Sequence, residues 1–203
     1  MGEIALMRAE KRQLPCQTPA QNIVERMKSL SVVSHHIDAS MFYDRTGRER
    51  AAVGIPEAKR ILSSGEYNAL VRDIVEASKP ATNQQIRAAL SQLVCAFPNA
   101  ARTDLAAFGA VLATDITSMR PTAFAVDTAC RKLRQTLKFV PSIAETMEAI
   151  RDEERVINAY AWSVERFPKN VRDAERIFAE VLRYIECHKQ TATEAAKSAD
   201  PLS

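Results

Sequence analysis

Glycine is scarce in this 203-residue chain, with five residues against nine prolines. Tight hairpins draw heavily on glycine, so an architecture of strands and hairpins lacks its usual material. Aromatic residues make up only 6% of the chain, with a single tryptophan, Trp162. The four cysteines, Cys16, Cys95, Cys130 and Cys187, are widely separated. They form no C-x-x-C pair, no zinc-site spacing and no disulfide framework. Cys95 and Cys130 fall on apolar helical stripes, where cysteine behaves as a small hydrophobe. No apolar run of about 18 residues occurs and no signal-peptide core follows the start, which predicts a cytoplasmic protein. A Gly-rich phosphate loop, a zinc-protease helix motif and a nucleophile elbow are all missing too. No cofactor, metal site or small-molecule substrate is expected, and a catalytic function is not expected either.

What is present favours helices. Apolar residues make up 46% of the chain, enough for a substantial core. Alanine, leucine, arginine, glutamate and glutamine are abundant and all are good helix formers. The expected fold class is all-α: a compact bundle of four to five core helices with an irregular N-terminal region and a disordered C-terminal tail. Net charge is +3, from 28 basic and 25 acidic residues, too little to argue alone for nucleic-acid binding. The balance is uneven, with ten Lys/Arg and seven Asp/Glu in residues 1–60 and nine against ten from 151 onward.

Reading along the chain, residues 1–55 are expected to be an arm and loop-rich region with a short helix near 21–30. The glycines and close-set charges of "IDASMFYDRTGRERAAVG" read as a loop. Pro56 suits the first turn of a connecting helix over 56–78, broken near Gly65. A helical core domain is expected over 79–188. Thr82 or Asn83 caps its first helix, with Ile86, Leu90, Leu93 and Phe97 on the apolar stripe, and Phe97-Pro98-Asn99 ends it. Thr103 and Asp104 open a second helix carrying Leu105, Phe108, Leu112 and Ile116. Ser118 and Pro121 open a third, with Val126, Cys130, Leu133 and Leu137. In "LKFVPSIAETMEAI", Pro141 stops that helix and Ser142 with Glu145 forms a capping box for the next. Leu137 and Phe139 are expected to anchor the core. The fourth helix is expected to end near Arg166 at "FPKN", with a last helix over 171–188 and a disordered tail over 189–203.

Few residues suggest chemistry. Adjacent His35 and His36 point about 100° apart on a helix and read as ordinary histidines. The acids of "RDEER", 151–155, read as an outer helix face with arginine partners, and Trp162 as a core residue. Arg131, Lys132, Arg134 and Lys138 form a basic group beside an apolar stripe, a candidate for phosphate contact. Arg45, Arg48 and Arg50 form a second basic group.

The order of elements from 86 to 150 resembles a helical module of phage and prophage replication proteins, the small helicase loaders and helicase inhibitors. The resemblance rests on a helix ending in Phe97-Pro98-Asn99 and a second helix with Phe108 and Leu112 inside. A third helix follows with Val126, Cys130 and Leu133, then the phrase Phe139-Val140-Pro141-Ser142-Ile143-Ala144-Glu145. Two positions depart from the pattern: Phe108 stands where tryptophan is expected, and Thr146 where an aliphatic residue is. The resemblance covers about a third of the chain. It implies a non-enzymatic adaptor of DNA replication that binds a replicative helicase, with DNA as a further contact. Loaders of this kind commonly use a terminal region for the helicase, which nominates Phe178, Arg183, Tyr184 and His188. Two alternatives stay open. One is an inhibitor or effector that occupies a host protein surface. The other is a helical DNA-binding regulator, although its candidate recognition helix, 103–116, carries no lysine or arginine to read base edges.

Overall fold

The computed structural model describes residues 19–97 and 105–198. The protein is all-α, with seven α-helices among those residues. They are α1 (Pro19–His36), α2 (Arg45–Ser63), α3 (Gly65–Ala77), α4 (Asn83–Cys95), α5 (Leu105–Met119), α6 (Ala123–Thr136) and α7 (Ile143–Ser198). A short 3₁₀ turn, Ala39–Met41, joins α1 to α2. Helix α7 has 56 residues and is about 84 Å long at 1.5 Å per residue. It is the spine on which two hydrophobic cores are mounted.

The second core uses α4, α5, α6 and the start of α7. It contains Ile86, Leu90, Leu93 and Phe97, then Leu112 and Ile116, then Val126, Cys130 and Leu133, and finally Ile150. Thr82 and Ser142 cap their helices as the sequence predicts. Thr82 and Gln85 form a full capping box on α4. The Ser142 Oγ accepts from the Glu145 N–H at 3.2 Å, while the Glu145 carboxylate accepts from the Ser142 N–H at 2.7 Å. The cap of α6 is Thr122 rather than Ser118, accepting from the Ala125 N–H at 3.2 Å. Pro98, Asn99, Thr103 and Asp104 lie outside the described residues.

The first core overturns the expectation of a loop-rich stretch over 19–55, while the expected arm over 1–18 lies outside the described residues. Ile23, Met27 and Leu30 of α1 are buried with Phe42, with Ala51 and Ile55 of α2, and with Tyr67, Leu70 and Ile74 of α3. The middle of α7 closes it with Ile157, Val164, Phe167 and Val171. The expected loop around "DRTGRER" is the start of α2, capped by Asp44, whose carboxylate accepts from the Gly47 N–H at 2.6 Å. The two glycines that suggested a loop serve close packing instead. A Cβ on Gly47 would lie 1.6 Å from the Met41 carbonyl oxygen, and one on Gly54 would lie 2.6 Å from the His36 Cβ. Pro56 therefore sits inside α2, not in the first turn of a later helix.

The break expected at "FPKN" is also absent, because α7 runs through Pro168. Proline has no N–H, so the carbonyl four residues earlier, that of Val164, loses its helical donor. Tyr67 supplies the substitute: its buried hydroxyl donates to the Val164 oxygen at 2.6 Å. A side chain 97 residues away in sequence thus repairs the helix, a relation that no local pattern encodes. Beyond the first core α7 continues as a helix to Ser198, so residues 189–198 of the expected tail are helical. Residues 199–203 lie outside the described residues.

Short backbone contacts tie the cores together. The Ala81 N–H donates to the Pro121 carbonyl at 2.7 Å and the Ala123 N–H to that of Lys79 at 3.1 Å. Glu154 of α7 accepts from the Thr122 N–H. No helix among the described residues is long and apolar enough to cross a membrane.

Candidate functional site

The basic residues picked out in the sequence are largely engaged within the chain. The Arg131 side chain is only 14% exposed and lies 3.9 Å from Asp127. Lys132 pairs with Glu153 at 2.5 Å, and Arg134 donates to the Gln92 side chain at 3.2 Å. Lys138 is exposed just beyond the end of α6. The pairing to Glu153 corrects the reading of "RDEER" as a wholly outer face. Glu153 is 5% exposed, and Glu154 also turns inward to hold Thr122. Three consecutive acids span about 200° of a helix, so at least one had to approach the core side. Arg151, Asp152 and Arg155 do form the expected surface ion pairs.

The second basic group is structural as well. Arg48 donates to the carbonyls of Phe42 and Tyr43 at 3.3 and 2.9 Å, holding the turn before α2. Arg45 pairs with Glu49 at 2.9 Å, and Arg50 approaches the Met41 sulfur at 3.9 Å. These contacts reduce the number of cations offered to phosphates, the quantity that sets affinity in a non-specific DNA contact.

The four nominated partner residues divide along α7. Phe178 meets the fully buried Phe42 edge-on, with ring centroids 5.6 Å apart, and so belongs to the first core. Arg183, Tyr184 and His188 are exposed beyond it. Tyr184 stacks edgewise on His188 at 4.2 Å, and the Arg183 Nε donates to the Ala179 carbonyl at 3.3 Å. Leu182 is also exposed here. The stretch of α7 around Leu182 and Tyr184 thus carries exposed apolar surface among the described residues.

Two aromatics placed inside by sequence reasoning are outside. Phe139 is 67% exposed and Trp162 58%. Arg166 lies over the Trp162 ring at 4.7 Å, a cation–π contact that covers one face. Phe139 occupies the bend between α6 and α7, where Leu137 and Val140 point to the core in its stead.

A groove of about 770 Å³ lies between α4 and α5. Leu90, Val94, Gly109, Ala110 and Ala113 form its floor and walls, with Asn83, Arg87 and Thr117 among its polar rim. No motif marks these positions. The signal that does mark them is composition: in Leu105–Met119 the only charged residue is Asp115. A helix apolar on all sides belongs in an interior, yet Ala107, Ala110 and Val111 of α5 face outward.

Chemistry is sparse among the described residues. No group of three His, Cys, Asp or Glu side chains there is placed to hold a metal ion. Burial pushes the Cys130 thiol up to about 12, which keeps it protonated and inert. No family model, no curated protein and no solved structure matches this chain. The site is therefore argued from its surfaces: the α4–α5 groove and the exposed end of α7.

Proposed function

We propose that the protein is a non-enzymatic adaptor of DNA replication that binds a replicative helicase through the end of α7. The supporting observation is that α7 runs on past Val181, with Leu182 and Tyr184 exposed among the described residues. An isolated helix of this length is marginal in water, and helical stability usually comes from packing an apolar face. Such a projecting helix suits capture by a groove on a protein partner. The resemblance of residues 86–150 to helicase loaders and inhibitors supplies the class of partner. The interior positions of the Phe108, Leu112, Val126, Cys130 and Leu133 pattern are compatible with it.

The test is gel filtration of the chain mixed with a ring-shaped bacterial replicative helicase, beside a chain ending at Val181. That truncation keeps Phe167, Val171 and Ala174, which the first core needs. The full chain is expected to co-elute with the helicase and the truncated chain to elute alone. Equal binding by both would move the contact off α7, and no binding by either at low salt would sink the helicase reading.

A further inference from the structure

We draw no further inference here: the strongest candidate, the groove between α4 and α5, is an open, mainly apolar face, and nothing in the structure shows what covers it.

Discussion

The two cores share one spine but are built differently. The first is closed by long-range side-chain contacts: Tyr67 to the Val164 carbonyl, Phe42 to Phe178, Arg26 to Asp73 at 2.6 Å and Lys59 to Glu175 at 2.7 Å. The second has side-chain caps on α4, α6 and α7, as the first has on α2 and α3. It leaves a groove of about 770 Å³ on its surface. The difference separates two ways of specifying helices. Caps fix where a helix begins using residues three positions apart, whereas cross-chain contacts fix which helices meet. The first unit uses its packing faces internally, whereas the second leaves the face between α4 and α5 open as a groove.

The contrast is tested first where the effect is largest. Phe42 has no exposed surface and is held by Phe178. Phe42→Ala is expected to cost about 3–5 kcal/mol, measured by urea unfolding. If the cores unfold separately, an early transition should appear that leaves the α4–α6 part intact. A single shared transition would show instead that α7 couples the two units completely.

Next comes the repaired proline. Tyr67→Phe leaves the Val164 carbonyl without a donor and is expected to cost about 1–3 kcal/mol. In Pro168→Ala the helical N–H returns, so the tyrosine hydroxyl should matter much less in that background. A double-mutant cycle measures the coupling. Additive effects would mean that Tyr67 stabilises by packing alone.

A cap in the second unit should cost less. Thr82→Ala is expected to lose about 1 kcal/mol, with the loss confined to α4 in hydrogen exchange. The α7 cap also predicts a direction with pH. Hydrogen bonds from the Ser142 N–H and hydroxyl hold the Glu145 carboxyl below the usual carboxylate range. A depressed folded-state pKa contributes stability above the ordinary carboxylate pKa, and that stability is lost as pH falls through the lowered value. Glu145→Gln should therefore differ from the parent at neutral pH and converge with it in acid.

This contrast also explains what was legible in the sequence. The all-α class, a cap at Thr82 or Asn83, the capping box at Ser142, and the stripe from Ile86 to Leu133 could be read, because each depends on residues within one or two helical turns. The first core could not. Gly47 and Gly54 look like loop residues until the Met41 carbonyl and His36 are brought against them. Pro168 looks like a stop until Tyr67 reaches the Val164 carbonyl, 97 residues along the chain. The candidate site was partly legible: Arg183, Tyr184 and His188 are exposed on α7, whereas Phe178 is taken up by Phe42. The groove was signalled only by the near absence of charge in α5, which by itself predicts an interior helix rather than an open face.

The smallest expected effect lies at the junction between α6 and α7. A phenylalanine before a Pro-Ser cap has the sequence of a core anchor, for which truncation to alanine costs about 3–5 kcal/mol. The geometry reverses that expectation. Phe139 is 67% exposed, and the apolar contacts of the bend come from Leu137 and Val140. Phe139→Ala should then change stability by no more than about 0.5 kcal/mol, as at an ordinary surface position. Leu137→Ala, measured beside it by the same thermal unfolding, should cost clearly more. A large loss from Phe139→Ala would place its ring in the core and return the junction to the role its sequence suggests. A small loss leaves a large aromatic side chain in solvent beside a rigid bend, where a partner that contacts the second unit can reach it.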